Sequence, residues 1–186
     1  CGLTTSGAAY CWGNGGSGQL GTSDTAGVAV PTALSRGWTY KWQSIAAGAD
    51  HTCGVTTAGK AYCWGANFFG QVGDGTTAAT SVPIPVNSAN SFASITAGSQ
   101  YACARTTAGE AWCWGRNNTG QLGDGAGGQL QWWPYTEVQS SVPVQVIADV
   151  SLSQLSAGSA HTCAIGAGQS AWCWGTNGSG QLGVPS

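Results

Sequence analysis

Charge is scarce in this chain: Asp, Glu, Lys and Arg make up 6% of its 186 residues, against about a quarter in an ordinary globular domain. The five cations, Arg36, Lys41, Lys60, Arg105 and Arg116, are scattered. Phosphate binding needs clustered Lys and Arg, so nucleic acid is excluded as the main partner. Methionine is absent, and no run of eighteen apolar residues occurs; the sequence offers no candidate transmembrane helix. Disorder is excluded too. It requires low hydrophobicity and high net charge, whereas 42% of this chain is hydrophobic, ten residues are Trp and the net charge is −2. There is no phosphate loop, no Ser-His-Asp setting, no convincing carboxylate pair and no dense carboxylate loop of the kind calcium needs. The expectation is a protein that is not an enzyme and holds neither cofactor nor metal.

What the chain does contain is one short pattern four times over. Cys1 to Cys11, Cys53 to Cys63, Cys103 to Cys113 and Cys163 to Cys173 each enclose nine residues and run into Trp-Gly. Each copy then reaches a Gly-Gln-Leu/Val-Gly tail, at 18–21, 70–73, 120–123 and 180–183. Successive first cysteines are 52, 50 and 60 residues apart. A period near fifty marks a repeat architecture, and residues that recur four times read as scaffold. Approximate units are 1–52, 53–102, 103–162 and 163–186, within a single domain.

In the second copy, Thr52–Thr56 and Lys60–Trp64 are β-prone runs around the turn Thr57-Ala58-Gly59. Three loop residues ending in Gly fit a hairpin whose last loop residue is left-handed. That register opposes Cys53 and Cys63, and directly opposed residues lie close enough for a disulfide. The predicted pairs are therefore Cys1–Cys11, Cys53–Cys63, Cys103–Cys113 and Cys163–Cys173. Zinc sites usually space their cysteines by two to four residues, which nine intervening residues do not match. Paired cysteines imply an oxidising compartment, hence a secreted or cell-surface protein. The fourth copy places its Gly one position early (Gly168), so its turn is expected to differ.

After Trp-Gly comes an Asn (Asn14, Asn67, Asn117, Asn177), suited to a left-handed turn. The Gln of the tail (Gln19, Gln71, Gln121, Gln181) is expected to hold backbone groups of that turn. Two further apolar segments follow in three copies, such as Val82–Val86 and Phe92–Ala97. One unit thus holds up to four short antiparallel strands, and units of this kind make an all-β propeller or partial propeller. Four hairpins but only three second halves are present, and Cys1 falls inside a repeat. Closure is expected from repeats beyond this chain or from another copy of it; a lipid-anchored Cys1 is the alternative reading of the start.

The string Trp-Gly-x-Asn-x-x-Gly-Gln-Leu-Gly, preceded by Ala-Gly-x-x-His-Thr-Cys, resembles the repeat of the regulator of chromosome condensation family. The resemblance covers Ala47–Gly75, Ala97–Gly125 and Ala157–Gly183, with Cys1–Gly21 as a shortened copy. It implies a β-propeller, usually of seven blades. Family members include a nucleotide-exchange factor, ubiquitin-ligase domains, a plant photoreceptor and a secreted β-lactamase inhibitor; the paired cysteines resemble the secreted type. What the resemblance implies is a propeller face that holds another macromolecule.

His51 and His161 share a repeat position with Tyr101, so packing is the expected role. Asp74 and Asp124 read as turn residues. Asn117-Asn118-Thr119 and Asn177-Gly178-Ser179 match the glycosylation acceptor pattern, although a turn role explains both Asn residues equally well. Two segments break the repeat: 36–41, with Trp38 and Tyr40, and 127–137, with Trp132, Trp133 and Tyr135. Loops on rigid scaffolds carry recognition, and Trp and Tyr favour hot spots. These five aromatics are the candidate binding residues. The leading expectation is a non-catalytic extracellular module for protein binding or self-assembly. The alternatives are a carbohydrate-binding module using the same rings and a structural subunit of an extracellular filament.

Overall fold

A computed structural model describes residues 1–35, 39–127 and 137–185. Among these, fourteen strands form four antiparallel sheets. The first contains β1 (Gly2–Leu3), β2 (Ala9–Gly13) and β3 (Val28–Ala33). The second contains β4 (Trp42–Ala47), β5 (His51–Thr56), β6 (Ala61–Gly65) and β7 (Thr80–Pro85). The third runs through β8 (Phe92–Ala97), β9 (Tyr101–Thr106), β10 (Ala111–Arg116) and β11 (Gln139–Gln145). The fourth holds β12 (Leu152–Ala157), β13 (His161–Gly166) and β14 (Ala171–Gly175). Neighbours in sequence are neighbours in each sheet. The first strands β4, β8 and β12 pack against one another, forming the inner rim of an arc of blades.

The sheets are offset from the units counted between cysteines. β4, β8 and β12 precede the Cys hairpins, so each joins the hairpin that follows it rather than the one before. The reason is local: a two-residue turn such as Ala49-Asp50 returns the chain directly onto β5, whereas β7 and β8 are joined by a longer connection to the next sheet.

The hairpin register is the predicted one. Cys53 lies opposite Cys63 and Thr52 opposite Trp64. Gly59, at φ 77°, ends the turn in the left-handed region. All four predicted disulfides are present, with Cα separations of 4.0 to 4.1 Å. In the fourth hairpin the early Gly168 forces Gln169 as well into the left-handed region (φ 63°), and a 3₁₀ turn at Ala167–Gln169 replaces the loop.

Each interface between sheets carries its own core. Leu20, Leu34, Trp42 and Trp64 fill the first interface, Val55, Val72, Phe92, Ile95 and Trp114 the second, and Tyr101, Leu122, Leu152 and Ala164 the third. Strands in the middle of the arc are therefore covered on both faces, and all six residues of β5 are buried. In the second, third and fourth hairpins, one glycine at the end makes the packing possible. Gly65 sits at φ 105°, and a methyl there would come within 2.5 Å of the Asp50 carbonyl oxygen.

Candidate functional site

Strand direction sorts the loops into two ends. The three-residue turns (57–59 and equivalents) and the connections from one sheet to the next lie at one end, the hairpin face. The turns built on Asn and Gln lie at the other, the Asn-turn face.

On the Asn-turn face, Asn67 is fully buried and works as a clamp. Its Oδ1 accepts the Val72 amide at 2.9 Å, and its Nδ2 donates to the carbonyls of Thr76 at 3.1 Å and Ala78 at 3.0 Å. Gln71 Oε1 accepts the Phe69 amide at 2.9 Å. Asn117 with Gln121 and Asn177 with Gln181 repeat the amide contacts. The Gln role expected from sequence is thus observed. Asn14 does not share the Asn role. It stands one residue too early after Trp12, is exposed, and caps the Gly16 amide at 2.9 Å, while Gly15 takes the buried place. A methyl at Gly15 would meet the Ala26 oxygen at 2.2 Å, so no Asn fits there.

The clamps leave two residues at each turn tip. In the second turn these are Phe68 and Phe69. Phe68 is 76% exposed. The Arg116 guanidinium lies over the Phe69 ring, 4.9 Å from its centroid, a cation–π contact. Arg116 also donates to Gln100 Oε1 at 2.8 Å and approaches Glu137 Oε2 at 3.5 Å. Glu137 in turn accepts from Asn118 Nδ2 at 2.6 Å. Gln100, Arg116, Asn118 and Thr119 line a shallow cavity of about 220 Å³ between the third and fourth sheets. Charge is divided between the ends. Among the described residues, Asp24, Asp50, Asp74, Asp124 and Glu137 lie in connections of the Asn-turn face with Arg116, while Lys41, Lys60 and Arg105 lie toward the hairpin face with Glu110 and Asp149.

Of the aromatic candidates, Trp38, Trp132, Trp133 and Tyr135 lie outside the described residues. The ends of their segments are described, and they leave from opposite faces. The segment 128–136 springs from Gly127 and Glu137, beside Asn117 and Asn118; the Asn117 amide donates to the Val138 carbonyl at 2.6 Å and the Val138 amide to Asn118 Oδ1 at 2.8 Å. The segment 36–38 follows β3 and departs from the hairpin face. Tyr40, next to it, is half-exposed and stacks on Tyr62 with centroids 5.4 Å apart; burial pushes the Tyr62 hydroxyl pKa up to about 12. Phe68, which no sequence criterion selected, is the most exposed aromatic among the described residues. The signal available was Phe-Phe at tips where the other turns carry small or polar residues.

Asn117 is 1% exposed and its Nδ2 donates to Asp124 Oδ1 at 2.9 Å, so a glycan on it would have to replace a contact of the fold. Asn177 is partly buried and donates to the Val184 carbonyl at 3.1 Å. His51 is 1% exposed, and neither ring nitrogen meets hydrogen-bond geometry. Burial lowers its pKa to about 4, offset in part by the Tyr101 backbone. The ring lies on Gly48: a methyl there would reach His51 Cε1 at 2.3 Å, and Gly98 and Gly158 stand in the same relation to Tyr101 and His161. The Ala-Gly-x-x-His string is thus a seat and its ring. Tyr101 extends the pattern, its hydroxyl donating to the His161 carbonyl and accepting from Thr162 Oγ1 at 2.9 Å.

The comparisons with known proteins agree with this architecture. The regulator of chromosome condensation (RCC1) repeat model matches residues 6–55, 58–105 and 108–165, and a second RCC1 repeat model matches 42–71, 92–121 and 152–181. The ultraviolet-B receptor UVR8 of Arabidopsis thaliana is 34% identical over 182 residues, which is 98% of this chain and 40% of the receptor. Human WBSCR16 superposes with a TM-score of 0.83 at 22% identity, over 98% of this chain and 46% of that one. Prp20p from Saccharomyces cerevisiae superposes at 0.79 and 22% identity, over 99% and 45%. The chain therefore spans less than half the length of each of these proteins.

Proposed function

This chain belongs to the regulator of chromosome condensation repeat family, and on that premise we propose that it is a non-catalytic, extracellular β-propeller module that binds another protein through its Asn-turn face. Phe68 carries the reading. A large ring held 76% in solvent has no packing role, and the Asn67 and Gln71 clamps fix the turn that presents it. A rigid aromatic beside a guanidinium is the composition of a binding hot spot. Trp132, Trp133 and Tyr135 belong to a segment tethered to the same face and complete the set of contact candidates, whereas Trp38 and Tyr40 belong to the other end. Prp20p is known for binding Gsp1p and histones; what carries over is the use of a propeller to hold a protein. Four disulfides are compatible with an extracellular location. The excess of carboxylates on the face suits a partner that brings an apolar group flanked by Lys or Arg.

The test is capture from the extracellular protein fraction of the source on immobilised chain, comparing wild type with Phe68→Asp and Arg116→Ala. A protein retained by wild type and bound at least about tenfold more weakly by Phe68→Asp, with thermal unfolding unchanged, supports the reading. Retention that ignores both substitutions sinks it. A glycan-array signal lost in Trp132→Ala/Trp133→Ala would establish the carbohydrate-binding reading instead.

A further inference from the structure

The short turns that lead into β5, β9 and β13 end in Asp50, Gln100 and Ala160, which share one repeat position. The three interfaces use that position differently. At the first, Gln19 Nε2 donates to Asp50 Oδ1 at 3.4 Å. At the second, Gln100 stands there with its Oε1 turned to Arg116, and the Phe69 ring lies against the same guanidinium. At the third, Thr119 and Ala160 take the places of Phe69 and Gln100. These small side chains leave open what the larger ones fill, a cavity of about 220 Å³.

The walls of this cavity hold donors that lack acceptors. Gln121 is 3% exposed; its Oε1 accepts the Thr119 amide at 2.9 Å, but its Nε2 makes no hydrogen bond among the described residues. Gln100 uses its Oε1 on Arg116, and its Nε2 is unbonded in the same sense. Arg116 directs Nη1 to Gln100 and Nε toward Glu137 at 3.5 Å, which leaves Nη2. The Ser99 and Ser159 residues also line the space. Acceptors on the walls are already engaged: the Ala160 carbonyl takes the Thr176 amide at 2.9 Å and the Thr119 hydroxyl at 3.2 Å. A buried amide donor without an acceptor is costly. An ionised carboxylate only accepts, through two oxygens, and its bonds to a guanidinium are of the stronger, charge-assisted kind. Glu137 neutralises part of the Arg116 charge, so the amides matter as much as the cation. The first interface shows the fit from within the fold, since Asp50 brings a carboxylate to the equivalent Gln.

We propose that the cavity between the third and fourth sheets is a carboxylate-binding site, which takes an aspartate or glutamate side chain of the protein bound on the Asn-turn face. That the carrier is a protein rests on the function proposed above; the site itself does not, because every donor belongs to this chain.

Titration of the 186-residue chain, disulfides intact, with N-acetyl-aspartate methylamide tests this by ¹H–¹⁵N spectroscopy. Saturable shifts of the Gln121 and Gln100 side-chain amides are expected, with none from the neutral isostere N-acetyl-asparagine methylamide and weaker ones from N-acetylglycine. Arg116→Ala should weaken the aspartate probe by about tenfold or more. Ala160→Asp, which copies the first interface, and Thr119→Phe, which copies the second, should each abolish the response while the rest of the spectrum stays folded. Phe68→Asp should leave the probe bound as before, so failure of protein capture and failure of this site are read separately. An equal response to the asparagine probe, no response at the highest soluble concentration, or shifts that persist in both filled variants would overturn the site. Tighter binding of N-acetylglycine would overturn the side-chain assignment in favour of a chain terminus.

Discussion

Trp64 and Trp12 occupy the same place in the repeat, yet the first is fully buried and the second 45% exposed. Their own hairpins are alike, with the same disulfide and the same Gly at φ 105–106°. Trp64 meets the Gln19 carbonyl and the bare Gly21 of the unit before it, and Trp12 makes no such contact among the described residues. The same holds along whole strands: β5 is buried throughout, while β14 begins with two exposed residues. A hairpin in this fold is stabilised by the sheet on either side of it, as expected of a quasi-one-dimensional array.

The comparison can be broken from its strong side. Trp114→Ala opens a cavity in the second interface and is expected to destabilise by about 3–5 kcal/mol, whereas Trp12→Ala should change the stability of these 186 residues by no more than about 0.5 kcal/mol; denaturant unfolding of the two variants measures the contrast. Next comes pH. His51 has a folded pKa of about 4 against 6.5 unfolded, so the unfolded chain binds the extra proton between those values. Stability should be full above pH 6.5, fall by on the order of 3 kcal/mol as pH drops toward 4, and flatten below. His51→Tyr, which copies the third unit, should abolish that slope in a pH series of thermal melts. A smaller effect is expected from the cross-links. Replacing Cys53 and Cys63 together by Ser should cost roughly 2–3 kcal/mol, for a loop with a sequence separation of 10. Smallest and sharpest is the pair of glycines. Gly98→Ala drives a methyl into the Tyr101 ring and should cost about 1–3 kcal/mol, while Gly158→Ala, against the less buried His161, should cost less; differential calorimetry orders them.

Much of the scaffold was readable because hairpins are local. The Cys spacing, the turn ending in Gly59 and the shift to Gly168 specify the register and all four disulfides. What was not readable depends on contacts about fifty residues apart. Nothing in Trp64 announces that its indole belongs to Gln19, or that Gly98 is small because Tyr101 lies on it. The division of strands among sheets was hidden for the same reason, since Phe92–Ala97 follows one hairpin in sequence and pairs with the next. The candidate site was the least legible part. Chain order offers 36–41 and 127–137 alike as binding candidates and says nothing of their faces, whereas β3 and β10 run to opposite ends before releasing them. Asn14 stands a single residue off the clamp position, which is enough to turn a buried clamp into a surface cap.

The covalent cross-links all lie within hairpins; none joins one sheet to another. Under tension the blades can therefore peel apart with every disulfide intact. Each sulfur bridge removes about ten residues, some 30–35 Å of contour, from the length that stretching can release. In a force-extension record the step per blade would be short under oxidising conditions and longer after reduction. The redox state of the surroundings then sets how far the protein can be drawn out, while the noncovalent contacts between sheets, such as the Trp114 indole on the Gln71 carbonyl, set how hard it must be pulled.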